Sequence, residues 1–283
     1  MASFTNFATL SYNGGTTNSN IVTGEILEAL TAVKTAVSAN YSAGDRITYA
    51  LSLVNTGTAA ITDYTVTDNL GGYTVGANTV YPLAYNAGTV RYYINGVLQT
   101  PPTVTAGPPL TVTGLTVPAG GSAVLIYETT ATPVAPLATG SSITNTATIT
   151  GGGLTTPITA QATVDTANSA ELSISKALSP TTVTENGQIT YTFVISNTGN
   201  TEATATGNVV VTDTFAPILR NIAVTYNGTA WTEGTNYTYN AATGVFTTLA
   251  GQITVPAASF TQNTDGTFTV TPGTATLVIT GTV

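Results

Sequence analysis

The closing hairpin of a repeat stands in this chain twice, once in place and once displaced. Ile143-Thr-Asn-Thr-Ala-Thr-Ile-Thr150, followed by Gly-Gly-Gly-Leu-Thr-Thr, reads as the last hairpin of a first repeat. Phe4-Thr-Asn-Phe-Ala-Thr-Leu-Ser11, followed by Tyr-Asn-Gly-Gly-Thr-Thr, is a second copy of that segment at the N-terminus. The second repeat runs to Thr276-Leu-Val-Ile-Thr-Gly-Thr-Val283 with no such hairpin after it. The expectation is a spare final strand at one end and a vacancy at the other, an arrangement suited to joining copies head to tail.

The repeat itself is legible by self-alignment, which comes before any single motif. Lys34 to Gly57 aligns with Lys176 to Gly199, and Val66-Thr-Asp68 with Val211-Thr-Asp213. Val117-Pro-Ala-Gly120 matches Val270-Thr-Pro-Gly273. The unit is a domain of about 140 residues, not a solenoid turn. The expected organisation is a donor hairpin over 1–26, domain one over 27–166, and domain two over 167–283, lacking its final strands.

The pattern is β throughout. Ile47 to Val54 and Ile189 to Ile195 alternate at period two. Asn55-Thr-Gly57 and Asn197-Thr-Gly199 read as turn punctuation, and Asn95-Gly96 and Asn227-Gly228 as type I′ hairpin turns. Glu25 to Thr35 has the Ala and Leu of a short helix, but its alignment with Glu171 to Lys176 makes it strand. Short strands with regular turns imply an all-β fold of two tandem immunoglobulin-like sandwiches, the second completed by an N-terminal donor strand from a neighbouring subunit.

Composition removes whole classes of chemistry. The chain has no Cys and no His, which excludes disulfides, thiol nucleophiles and imidazole bases, and leaves no basis for a metal site or cofactor. A net charge of −8 argues against nucleic acid as a partner. No segment has the apolar length of a membrane span, so no membrane insertion is expected. The first residues show neither a basic start nor an apolar core, so no secretory signal is expected. The acids are scattered singly, with no spaced calcium loop and no paired carboxylates for glycoside hydrolysis.

Against that background the cations stand out. Arg46, Arg91 and Arg220 leave Lys34 and Lys176 as the lysines of the chain, at one repeat position. Lys176 is in phase with Leu172 and Ile174, and Lys34 with Leu30 and Ala32, on the side expected to be buried. Asp68 is in phase with Tyr64 and Val66, and Asp213 with Val209 and Val211. Asn145 is in phase with Ile143 and Ala147, and Asn6 with Phe4, Ala8 and Leu10. An inward charge without a partner is costly, so these groups are expected to meet.

The sequence "GDRITYALSLVNTGT…VTDNLG…VPAGG…NTATIT" resembles an immunoglobulin-like repeat found in bacterial cell-surface proteins. The Lys, Asp and Asn positions resemble the self-crosslinking sandwich domains of Gram-positive pili and collagen adhesins. The resemblance implies that a buried Lys amine attacks an Asn amide beside an acid, giving an isopeptide bond. By position, Lys34 is the nucleophile, Asp68 the acid and Asn145 the acceptor. Lys176 and Asp213 repeat the first two, and Asn6 of another subunit supplies the third. Burial favours the neutral amine and the neutral acid, and partners held on adjacent strands supply effective molarity.

The expected function is a structural subunit of an extracellular filament on a cell or spore surface. It polymerises with identical subunits by donor-strand complementation through Phe4, Ala8 and Leu10, reinforced by Lys–Asn bonds. The enzymatic content is self-crosslinking at most. The alternative is an adhesin or stalk module, for which Val90-Arg-Tyr-Tyr-Ile94 and Trp231 to Tyr239 would form an aromatic sugar-binding face. The plain alternative for the polar residues is a buried Lys–Asp pair with Asn satisfying a turn.

Overall fold

The computed structural model describes residues 2–26 and 29–283. Residues 27 and 28, where the expected boundary between donor hairpin and domain one falls, lie outside the described residues, as does Met1. Two compact units emerge: Met1–Ala135 with Ser142–Asp165, and Pro136–Ser141 with Thr166–Val283. The chain is nearly all β, as its alternation implies, with one short 3-10 turn at Ala205–Gly207.

In the first unit, one sheet runs Val97–Leu98, Arg91–Ile94, Ser122–Ala131, Arg46–Asn55, Leu30–Ala36. The other runs Thr103–Thr105, Leu110–Val117, Ile61–Asp68, Ser142–Gly151, Ile158–Thr166, Asn40–Tyr41. Ladders among these strands are antiparallel, and inward residues alternate with outward ones. Ile47, Tyr49, Leu51 and Leu53 are all buried from one sheet, and Tyr64, Val66, Ala147 and Ile149 from the other.

The second unit repeats the first sheet and only part of the second. Leu172–Ser179 pairs with Gln188–Asn197, which pairs with Gly273–Thr282 and then Arg220–Tyr226. The facing sheet is the three strands Thr212–Thr214, Val245–Thr248 and Tyr237–Asn240. Thr212–Thr214 corresponds to Ile61–Asp68. One side pairs with Val245–Thr248. On its other side, where Ser142–Gly151 lies in the first unit, no strand of this unit pairs with it among the described residues.

That difference is visible in burial. Leu30–Ala36 buries Leu30 and Lys34, whereas every residue of Leu172–Ser179 is exposed. Leu172, Ile174 and Leu178, which alternation aims inward, are left 40%, 55% and 38% exposed. The displaced copy forms a ribbon of its own: Ala2–Asn6 pairs with Val22–Ile26, and Thr9–Tyr12 with Gly15–Asn18. Asn13 and Gly14 close it with φ of 48° and 80°, the left-handed pair that a type I′ turn requires. Phe4, Ala8, Leu10 and Tyr12 are exposed on it.

The Asn-Thr-Gly segments are more than turns. Asn55 is buried, donating through Nδ2 to the carbonyls of Ala59 (2.8 Å) and Pro118 (3.0 Å) and accepting from Gly57 N–H (2.9 Å). Asn197 repeats this with Thr201, Pro256 and Gly199, and accepts from Glu171 as well. Each asparagine ties the end of a central strand to two loops. Replacing Asn55 by Ala strands buried backbone groups, so Asn55→Ala should destabilise the first unit by about 2–4 kcal/mol, measured by urea denaturation.

Candidate functional site

In the first unit, Lys34, Asp68 and Asn145 converge inside the sandwich. Lys34 lies on the edge strand of one sheet, opposite Leu51 in register. Asp68 ends a strand of the facing sheet. Asn145 lies on the next strand of that sheet, two residues before Ala147, which is the partner of Asp68. Contrary to expectation, the lysine and the asparagine are not on adjacent strands but sit in different sheets, both buried in the core between them. Asn69 holds the asparagine strand in place, since its side chain accepts from Thr146 N–H at 2.9 Å and its own N–H donates to the Thr146 carbonyl at 3.0 Å.

The lysine amine bonds Asp68 Oδ2 at 2.5 Å, with both side chains essentially inaccessible. Tyr127 donates its hydroxyl to the same oxygen, and Leu70 N–H donates to Oδ1 at 3.0 Å. The rings of Tyr49 and Tyr127 stack, and the amine lies 4.9 Å from the first ring centroid and 5.9 Å from the second. Asn145 is fully buried. Among the described residues neither its amide nitrogen nor its oxygen has a hydrogen-bond partner of good geometry. The amide is nonetheless near enough to both phenols to offset part of their upward shift.

Burial pulls the Lys34 amine from its ordinary 10.5 down to about 8, with the charge and hydrogen bond of Asp68 acting the other way. Roughly a tenth of such an amine is neutral at pH 7. Tyr49 and Tyr127 are pushed above the usual phenol range, by desolvation first and by the Asp68 charge second. The site thus holds an amine whose pKa is lowered to about 8, a carboxyl group bonded to it, and an amide without a hydrogen-bond partner of good geometry among the described residues, all buried.

The second unit assembles two of the three groups. Lys176 bonds Asp213 Oδ2 at 2.5 Å, and Asp213 Oδ1 accepts from Thr214 N–H at 3.0 Å. Tyr191, Phe193 and Phe215 surround the amine, their centroids 4.4, 5.4 and 5.6 Å away. The Lys176 side chain is 40% exposed. Its amine turns to Asp213 of the facing sheet, and among the described residues no strand of this unit covers it. Asn6 is exposed on the N-terminal ribbon, paired in register with Val22.

Reasoning from sequence missed Tyr127 and Tyr49. Tyr49 aligns with Tyr191 in both repeats, which was a usable signal. Tyr127 pairs with Tyr49 and Ile279 with Tyr191, so the counterpart of Tyr127 is Ile279 and repetition carried no hint of the phenol. The aromatic segments are largely internal: Tyr92 and Tyr237 are buried and Trp231 stacks on Tyr226 at 4.9 Å. Among the described residues no helix is long and apolar enough to cross a membrane, and no cluster of acidic side chains is arranged to hold a metal ion.

No family model matches the chain, and no curated protein matches it. Among solved structures it is similar to BcpA, the major pilin subunit of Bacillus cereus, at 14% identity and a TM-score of 0.35, covering 96% of this chain and 73% of that one. It is similar to the pilus backbone RrgB of Streptococcus pneumoniae at 14% identity and a TM-score of 0.36, covering 86% of this chain and 55% of that one. A family 123 glycoside hydrolase of Clostridium perfringens matches 48% of this chain and 27% of its own, at 9% identity and a TM-score of 0.30.

The lowered amine has a measurable consequence. Asn145→Leu keeps Lys34 an amine in an apolar site. Between about pH 8 and pH 10 the unfolded lysine still holds a proton that the folded one has lost, so stability should rise with pH. Above that, Tyr49 and Tyr64 reverse the sign, because their folded phenols keep protons that the unfolded chain releases. The gain should be about 1–3 kcal/mol, read from urea midpoints across pH. A flat profile would contradict a desolvated amine.

Proposed function

We propose that the chain is the subunit of a surface filament. The N-terminal ribbon of one copy completes the second unit of the next, and Lys–Asn amide bonds lock the result. One observation carries the reading. The same Lys–Asp pair is sealed by an asparagine strand in the first unit and lies half-exposed beside an empty strand position in the second. A copy of the sealing strand, with its asparagine, stands exposed elsewhere in the chain.

The physics favours occupancy. The edge of Thr212–Thr214 pairs with no further strand among the described residues, and the exposed apolar face of Leu172–Ser179 is a standing aggregation hazard. A strand from another copy satisfies both, through main-chain bonds and side-chain pockets. A head-to-tail contact of this kind does not close on itself and so generates an open fibre. Residues 1–26, 27–166 and 167–283 then act as donor, closed sandwich and acceptor. A bacterial cell or spore surface suits such a fibre, since a buried amide resists heat and detergent where complementation alone does not.

The chemistry balances within the site. Proton transfer from Lys34 to Asp68 along their hydrogen bond leaves a neutral amine and a carboxylic acid. The amine nitrogen attacks Cγ of Asn145, while the acid donates toward the amide oxygen. Collapse forms the Lys–Asn amide, breaks the original C–N bond and releases ammonia, which takes up the remaining proton. Lys176, Asp213 and the Asn6 of a second copy follow the same steps at the joint. Placement and a dry core supply the acceleration, and no cofactor takes part.

Deleting residues 2–26 should leave unpolymerised subunits by electron microscopy. Normal fibres from that truncated chain would refute the donor reading. Intact mass of denatured wild-type subunit should fall short of the sequence mass by one ammonia for the first unit, and Asp68→Ala should restore it. Boiled fibres should persist as ladders that Lys176→Ala reduces to single subunits. Full mass and clean monomers from wild type would remove the crosslinks while leaving complementation standing.

A further inference from the structure

Unit two carries an open groove of ≈ 210 Å³ whose walls include Leu172, Ile174, Ile195, Val209, Val210 and Val211. The repeat alignment identifies what fills the same place in the first unit. Leu172, Ile195 and Val211 correspond to Leu30, Leu53 and Val66, all buried. Val209 corresponds to Tyr64, which is fully buried. Over them runs the asparagine strand, with Ile149 opposite Val66 and Gly151 opposite Tyr64. Bulk therefore comes from the acceptor side at this position, and the donor side contributes nothing beyond a backbone: Gly151, the last residue of its strand, has φ of 81°.

In the displaced copy the sizes are exchanged. The alignment that sets Asn6 on Asn145 sets Leu10 on Ile149 and Tyr12 on Gly151. Tyr12 keeps strand backbone at the end of Thr9–Tyr12, and its side chain is 75% exposed, with Leu10 at 65%. Small Val209 and large Tyr12 thus stand at the aligned positions where the first unit pairs large Tyr64 with Gly151. Two changes at aligned positions compensate in volume, as close packing demands of two surfaces that meet.

We propose that Leu10 and Tyr12 of a second copy seat in this groove over Val211 and Val209, and that the exchange of bulk decides which slot the ribbon enters. The inference rests on the donor reading above and deepens it. A ribbon bearing Tyr12 overpacks against Tyr64, so it does not displace the asparagine strand of a first unit. The asparagine strand, ending in Gly151, leaves the groove of a second unit unfilled. Head-to-tail polarity follows from that mismatch, since each strand fits only its own slot.

The test uses the full chain. Val209→Tyr restores the bulk of the first unit and should slow fibre growth, followed by light scattering and electron microscopy, by about tenfold or more. Adding Tyr12→Gly in the same chain recreates the pairing of the first unit and should recover growth. The Val209→Tyr copy keeps an intact ribbon, so it should still dock on wild-type second units and shorten wild-type fibres when mixed with them. Wild-type growth by Val209→Tyr overturns the proposal, as does failure of Tyr12→Gly to recover growth. If Val209→Tyr grows normally while the 2–26 deletion does not, the groove assignment falls and the donor reading stands. If the deletion also grows, both fall.

Discussion

A lysine amine inside a protein is tolerable only when its surroundings replace the water it has lost. In the first unit, Asp68, two stacked tyrosine rings and a complete second sheet do this for Lys34. The ion pair alone is weak evidence for stability, since desolving two charges offsets much of their attraction. Its importance lies in geometry. The pair holds the two sheets in a fixed relation at one point, with the amine pKa lowered to about 8, in the same core as an amide that has no hydrogen-bond partner of good geometry among the described residues. A buried amide without partners is a cost that most folds avoid, and here it marks the place where a bond can form.

The second unit shows what the asparagine strand contributes by withholding it. Lys176 and Asp213 still find each other, because both lie on strands that the unit supplies for itself. The aromatic wall is still present. Only the cover is missing, and with it the exclusion of water from the amine and from Leu172 and Ile174. The pair is therefore assembled by strand pairing and sheet packing within the unit, and its lysine stays 40% exposed where that of the first unit is buried. On the proposed donor reading, the site is split into a preassembled half and a delivered half, and the chemistry is tied to assembly, because the dry environment that lowers the barrier would exist only once the joint is made.

The two asparagine classes teach different lessons about reading such a chain. Asn55 and Asn197 were legible as turns because Asn-Thr-Gly is strong local punctuation. Their role as buried ties to loops dozens of residues away was not, since those carbonyls are brought near only by the folded sandwich. Asn145 was legible as inward-facing from its phase alone. That it lies in the sheet opposite Lys34, and not beside it in one sheet, depends on which strands pair with which, and period-two alternation is silent about that. Tyr127 escaped notice for the same reason: its partner Asp68 is far away in sequence, and its counterpart in the second repeat is Ile279, which has no hydroxyl.

The sequence by itself determined the all-β character, the repeat, the side on which each lysine, aspartate and asparagine lies, and the existence of a displaced final hairpin. These follow from period two and from self-alignment, which are local or internal to the chain. Tertiary structure decided the rest: that the lysine and asparagine occupy opposite sheets, that Tyr127 completes the hydrogen bonds of Asp68, and that Lys176, inward by phase, remains half-exposed. Phase says which way a side chain points. Only the packing of a second sheet over it decides whether that direction leads into a core or into water, because burial belongs to the pair of surfaces that meet and not to either strand alone.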